Sequence, residues 1–141
     1  MGNLQSSIKK INYEDIQFAM NNQSSFVLIN TLNSHEQDCL IQNTIISEEE
    51  EVLINNMIQQ CKFNMNIILY GKHINDESIM KKYNQLQSLH FNNVYIYQGG
   101  IFEWLLLQDI YGAEEFPTTS KQIDILKFKP NKTLNIQLLE Y

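Results

Sequence analysis

Three short, unbroken apolar runs restrict what this chain can fold into more than any other feature: Phe26-Val27-Leu28-Ile29, Ile67-Ile68-Leu69-Tyr70 and Val94-Tyr95-Ile96-Tyr97. A strand with one face in water alternates apolar and polar residues, whereas four apolar residues in succession need cover on both faces. The stretches between the runs carry apolar residues at helical spacing. Leu53, Ile54, Met57, Ile58 and Cys61 share one predicted helical face, and Ile79, Tyr83 and Leu86 share another. Buried strands alternating with amphipathic helices specify an α/β domain with a parallel sheet, right-handed crossovers and helices on both faces. A chain of 141 residues is one domain on length. At that size it buries roughly 68% of its unfolded surface, enough for one ordinary core.

Local signals sharpen the element boundaries. Asn12 followed by Asp15 predicts a capped first helix whose Ile16, Ala19 and Met20 face inward, and the polar run Asn21–Ser25 ends it. Asn30–Ser47 reads mainly as loop, with room for a short strand at Ile45-Ile46. Ser47 with Glu50 reads as a capping box, and Glu48–Glu51 fill a first turn where negative charge complements the helix dipole. The acidic run therefore has a structural explanation. Cys61 reads as a small buried hydrophobe on the apolar stripe. Asn75 or Asp76 is the predicted cap of the next helix, and Asn92-Asn93 turns the chain into the third buried strand. Gly99-Gly100 predicts a tight positive-φ turn into a helix, Ile101–Tyr111, that is apolar on nearly all sides. Gly112 is expected to close it in the left-handed conformation, and Trp104, Leu105 and Leu107 are expected in the core. After Pro117, Ile123–Phe128 and Leu134–Leu139 are apolar enough to pack, but their pattern assigns neither strand nor helix.

Charge and composition exclude several functions. The net charge is −6 and all ten basic residues are lysine. A nucleic-acid surface needs a basic face, and the bidentate fork of arginine is absent. His35, His73 and His90 are scattered and the chain has two cysteines, Cys39 and Cys61, so neither a metal centre nor a cofactor site is expected. With no secretory h-region and no apolar run near the ~20 residues that span a bilayer, the reading is a reduced, cytoplasmic protein that is not secreted. Residues 1–7 read as a flexible segment. Met1-Gly2-Asn3-Leu4-Gln5-Ser6 matches the N-myristoylation signature, with Gly2 as the acylated residue and Lys9 and Lys10 near anionic headgroups. One myristoyl chain binds membranes only marginally, with an association constant of about 10⁴ M⁻¹, so the expectation is reversible membrane association.

The order of elements and several local pieces resemble the rhodanese-like domain. Phe26–Asn30 resembles the family strand that ends in an aspartate, and Glu36 falls where a glutamate is frequent. Cys39–Ile45 (CLIQNTI) occupies the place of the Gly-His-Ile-Pro-Gly-Ala turn, retaining Ile41. Asn66–Gly71 resembles the strand that runs into the active-site loop. Phe91–Trp104 (FNNVYIYQGGIFEW) resembles the family's strand, glycine pair and tryptophan. The resemblance covers about residues 8–112, leaving 113–141 as a C-terminal extension. It implies a parallel sheet of about five strands flanked by helices.

It also implies an active-site loop at Gly71, Lys72, His73, Ile74, Asn75, Asp76 and Glu77. Active members begin this loop with a cysteine thiolate, activated by backbone N–H groups and a helix N-terminus, and related phosphatases close it with arginine. Here the cysteine position is Gly71 and the closing position Glu77, while the aspartate and arginine before the loop become Asn30 and Leu32. Each departure removes a nucleophile, a charge or an anion clamp. Glycine cannot carry a persulfide or thiophosphate. One like charge about 4 Å from an anionic substrate costs on the order of 4 kcal/mol at an effective dielectric near 20. A helix dipole offers only ~0.3–1 kcal/mol in return. The resemblance thus implies a catalytically silent rhodanese-like domain acting as a protein-binding or regulatory module. The alternative is a sulfurtransferase or phosphatase-type enzyme with a displaced nucleophile, for which Cys39, with His73 or His35 as base, is the available thiol.

Overall fold

Asn66–Tyr70 (β4) is the centre of the sheet, and the rest of the domain is arranged around it. In this computed structural model residues 8–134 are described, so the Gly2 signal and the apolar run beyond Leu134 lie outside the described residues. Before β4 come β1 (Lys9–Ile11), α1 (Tyr13–Met20), β2 (Phe26–Asn30), β3 (Thr44–Ile45) and α2 (Ser47–Gln59). After it come α3 (Ser78–Ser88), β5 (Val94–Tyr97) and α4 (Gly100–Tyr111), with 3-10 turns at Ser34–Glu36 and Ile125–Phe128. The five strands pair in the order β1-β5-β4-β2-β3, all parallel. The rhodanese-like α/β architecture expected from the sequence is the one observed.

Residues along each central strand point alternately to two cores. Leu28, Ile68, Tyr70 and Tyr97 join Ile16 and Ala19 of α1 and Ile101, Trp104 and Leu105 of α4. Val27, Ile29, Ile67, Leu69, Val94 and Ile96 join α2 and α3 on the other face. Both faces of the runs are covered, which is why they do not alternate.

Several local expectations are corrected. The short strand is Thr44–Ile45 rather than Ile45-Ile46. Ser47 is the first helical residue, Ile46 takes the cap position, and the capping box with Glu50 does not form. Glu50 is drawn instead to Lys82 on α3, and the Ser47 amide donates to Gln37 Oε1 at 3.0 Å. Cys61 is exposed, not buried. It follows the end of α2 at φ 56°, where the Lys62 amide reaches the Met57 carbonyl at 2.8 Å and its own reaches Ile58 at 3.0 Å, a Schellman end that turns the thiol outward. Of the glycine pair only Gly100 has positive φ. Gly112 is positive at φ 102° but with ψ 158°, extended rather than left-handed helical. Leu107 is only partly buried.

The segment after Gly112 folds back on the domain. Trp104 Nε1 donates to the Pro117 carbonyl at 3.1 Å, and the Gln42 amide to that same carbonyl at 3.1 Å. Thr119 and Leu40 are joined through both backbone and side chain, and Phe116 and Phe128 are fully part of the core.

Candidate functional site

Parallel strands direct their carboxyl ends to one rim, and the loop leaving the central strand is where open α/β sheets assemble sites. Here that loop is Gly71–Glu77, entering α3. Its geometry is dominated by Asp76. The carboxylate turns back into the loop and accepts from the Lys72 amide at 2.8 Å, the Ser78 amide at 3.0 Å and Ser78 Oγ at 2.6 Å. Burial alone would raise its pKa, but the Lys72 and Ser78 hydrogen bonds outweigh that and hold the carboxyl below its ordinary range. The Lys72 and Ser78 amides are therefore satisfied by the protein's own carboxylate. Neither Asn75 nor Asp76 takes the cap position expected of it, which falls on Glu77. Asp76, one residue earlier, still accepts from the Ser78 amide, and the Asn75 amide donates to His73 Nδ1 at 3.1 Å. Glu77 is exposed and makes no side-chain cap bond.

Gly71 stands opposite that carboxylate. A β-carbon there would lie 2.8 Å from Thr31 Oγ1 and closer still to Asp76 Oδ2. Both obstructing atoms are held: Thr31 Oγ1 and Ser78 Oγ are hydrogen-bonded to each other at 2.7 Å, and Asp76 has the three donors above. The loop is also clamped from the α4 side. The Ile101 and Phe102 amides donate to the Gly71 and Lys72 carbonyls at 3.0 and 2.9 Å. That approach demands glycine at position 100, where φ is +67° and a β-carbon would lie 2.6 Å from the Gly71 oxygen. Gly100 thus serves to dock one helix against the loop.

Around the rim, Lys72 is paired with Glu36 at 3.1 Å. Burial would raise the Glu36 carboxyl, yet the Lys72 hydrogen bond and the Asn33 amide bring it below its usual value. Glu36, Asp76 and Glu77 thus oppose one ammonium, and the cavity of about 430 Å³ lined by Lys72, His73, Asp76, Glu77 and Asn131 is unfavourable to anions. Ile74, at the tip, is 60% exposed. Asn30, at the family's aspartate position, is buried in a neutral amide pair: Gln37 Nε2 donates to its Oδ1 at 2.8 Å, and its Nδ2 donates to Gln37 Oε1 at 3.1 Å. Leu32, at the arginine position, is buried in the core.

Cys39 does not join this group. It is 2% exposed, its Sγ donates to the Ser120 carbonyl at 3.3 Å, and burial pushes its thiol up. A thiol in that setting is protonated and shielded, the reverse of an activated nucleophile. No hydrogen bond links it to His73 or His35 among the described residues. Nor does any group of three His, Cys, Asp or Glu side chains among them come close enough to hold a metal ion. The inward turn of Asp76 escapes a reading of the sequence as a simple helix cap. Its signal is the Asp-x-Ser spacing, which lets a carboxylate accept from the amide two residues on.

No protein-family model matches the chain, and no curated protein matches it by sequence. Solved structures do match. The rhodanese-like domain of the Anabaena protein Alr3790, solved by NMR, superposes with a TM-score of 0.56 at 20% identity, over 92% of this chain and 89% of that one. Ygr203w, described as a yeast protein tyrosine phosphatase of the rhodanese family, gives 0.58 at 13% identity, over 85% and 97%. Thiosulfate sulfurtransferase from Pseudomonas aeruginosa gives 0.55 at 17% identity over 70% of this chain, but only 19% of that longer one. The chain has the rhodanese-like fold, on which both chemistries are carried elsewhere. Among the described residues no helix is long and apolar enough to cross a membrane.

Proposed function

We propose that this chain is a catalytically silent rhodanese-like module that works by binding another protein. The observation that supports it is the Asp76 carboxylate, which takes the Lys72 and Ser78 amides and the space beyond Gly71 where a nucleophile would have to stand. Three further features agree: the rim carries more carboxylate than ammonium, Asn30 is committed to a neutral amide pair, and Cys39 is capped by Ser120. Fold does not dictate activity, so the likeness to a phosphatase and a sulfurtransferase carries no chemistry over to this chain.

The test measures thiosulfate:cyanide sulfurtransfer and hydrolysis of a generic aryl phosphate by wild type and Cys39→Ser. The expected result is turnover no higher than buffer for both proteins. Turnover by wild type that disappears in Cys39→Ser would overturn the proposal and establish the displaced-nucleophile enzyme.

As part of the same proposal, Gly2 is acylated and gives the module a weak, reversible hold on membranes. Intact mass of the protein from its native host decides this: a myristoyl increment on Gly2 is expected, and a free or acetylated Gly2 removes the anchor.

A further inference from the structure

The two rims of the sheet differ in charge. β1, β2, β4 and β5 all start at the amino rim, where Lys9 is level with Tyr95, Phe26 with Asn66 and Ile67 with Val94. The stretches that reach this rim, 8–10, 21–25, 60–65 and 89–93, hold no aspartate or glutamate. They do hold Lys9, Lys10 and Lys62, all exposed, and no carboxylate among the described residues pairs with any of the three. At the carboxyl rim stand Glu36, Glu48–Glu51, Asp76 and Glu77. Acid at helix starts answers the helix dipole, but the lysines are no answer to its other end, since none of α1 to α4 has a basic residue in its last turn. Lysine on an edge strand deters strand pairing, which accounts for Lys9 and Lys10. It does not account for Lys62, which follows α2 in a loop and lines a hollow of about 400 Å³ with Ser24, Ser25 and Asn64 and no carboxylate. Glu114 and Glu115 come up to the rim at the β3 corner, in a cavity with Asn21, Gln23 and Asn43, and Asp109 shares the α4 groove with Lys121. Phe18 adds an aromatic ring at this level: it is 60% exposed and stands edge-on to Phe26, the first residue of β2, with ring centroids 5.8 Å apart.

The length of chain outside the described residues says what this rim meets. Ile8 precedes Lys9 at the start of β1. A chain spans at most about 3.6 Å per residue, so Gly2 lies within roughly 22 Å of Ile8 whatever path it takes. An acyl chain on Gly2 therefore keeps the amino rim within reach of the lipid. One myristoyl chain needs a second signal for stable anchoring, and basic residues beside it supply one. Each lysine that meets an anionic leaflet adds about fivefold to binding.

We infer that the amino rim is a membrane-docking face, with Lys9, Lys10 and Lys62 on anionic headgroups and Phe18 at the interface. The inference rests on the acylation of Gly2 proposed above. It turns the Gly71 loop, at the opposite rim, to the aqueous side, where a protein partner can reach it.

The full chain co-expressed with an N-myristoyltransferase tests it, on vesicles of phosphatidylcholine containing about 30% phosphatidylserine. Intact mass comes first: protein that the transferase leaves unmodified removes the anchor and this face together. With acylated protein, an environment-sensitive dye on Cys61, the exposed thiol of this rim, is expected to shift blue on the vesicles. Cys39, 2% exposed, escapes the label. The same dye on Ile74→Cys in a Cys61→Ser background, at the opposite rim, is expected to stay unshifted. Lys10→Gln with Lys62→Gln should weaken binding to these vesicles about 25-fold and leave binding to pure phosphatidylcholine unchanged. Acylated protein that stays off the vesicles overturns both the reversible hold and this face. Acylated protein that binds with neither dye shifted, with the Ile74→Cys dye shifted, or with the lysine pair dispensable keeps the Gly2 anchor and overturns this face.

Discussion

At the scale of single residues, Asp76 and Gly71 are one device seen from two sides. The carboxylate has three donors, and the space it occupies is available only because position 71 lacks a side chain. Installing the nucleophile alone, Gly71→Cys, therefore does not rebuild an enzyme. It should displace Asp76 from charge-assisted hydrogen bonds worth about 1.5–3 kcal/mol, read as a lower urea midpoint, and leave a thiol that alkylates slowly beside a carboxylate. Combining Gly71→Cys with Asp76→Ala frees the Lys72 and Ser78 amides, and the iodoacetamide rate at position 71 should rise. Equal rates in the two variants would mean that those amides do not act on the thiol. The same carboxylate gives the loop a pH signature. Its folded pKa is depressed, so its stabilising contribution is complete above the unfolded value of about 3.9 and is lost as pH falls through the lower folded value. Glu36, also depressed, acts in the same direction. Unfolding followed from pH 7 downward should show wild type losing stability below about pH 4, with a shallower loss in Asp76→Asn. Superimposable slopes would remove Asp76 as a source.

At the scale of elements, the three central strands and the four helices followed rules visible in the chain, whereas β1 (Lys9–Ile11) has no apolar pattern and is defined by pairing with β5; the other exceptions lie where a distant residue overrides a local one. The capping box at Ser47 lost to two tertiary contacts, Glu50 with Lys82 and the Ser47 amide with Gln37. Cys61 fits the helical stripe by spacing, but the helix has ended two residues earlier, at Gln59, and the left-handed turn points it into solvent. α3 ends in the same way: His90 has φ 75°, and the Phe91 amide reaches the Leu86 carbonyl at 3.2 Å. Both positions call for glycine, since a left-handed residue with a β-carbon carries a steric cost of about 1–2 kcal/mol. Cys61→Gly and His90→Gly should each stabilise the domain by about 0.5–1 kcal/mol, additively because they end different helices. A fall in the urea midpoint of either variant would contradict this account. The architecture of the loop was legible for the same reason, through the strand, the glycine pair and the tryptophan. What it holds was not legible, because an aspartate before a helix reads as a simple cap, whereas Asp76 also reaches back four residues to the Lys72 amide.

At the scale of the whole molecule, the returning segment closes the sheet's carboxyl rim and decides which thiol the solvent meets. Ser120 caps Cys39 Sγ, Thr119 binds Leu40, and Phe128 is 1% exposed against the same core as Trp104. No local pattern announced this, because residues 117–128 have no helical or strand period of their own and are ordered by contacts roughly eighty residues away in sequence, as the 81 positions between Cys39 and Ser120 illustrate. The two cysteines therefore report on different events. Cys61 is exposed and should react with a chromogenic disulfide as fast as it diffuses in, whereas Cys39 should react only when the segment lifts. Phe128→Ala removes the largest apolar anchor of the segment and should cost about 3–5 kcal/mol if the segment opens together with the domain. If the segment opens by itself, the global urea midpoint should move less, while labelling of Cys39 in native buffer accelerates by orders of magnitude and Cys61 is unaffected. The second pattern is expected, because the core between the sheet and α2 and α3, on the other face, makes no use of Phe128. Labelling of Cys39 that tracks global unfolding in both proteins would show instead that segment and sheet form one cooperative unit.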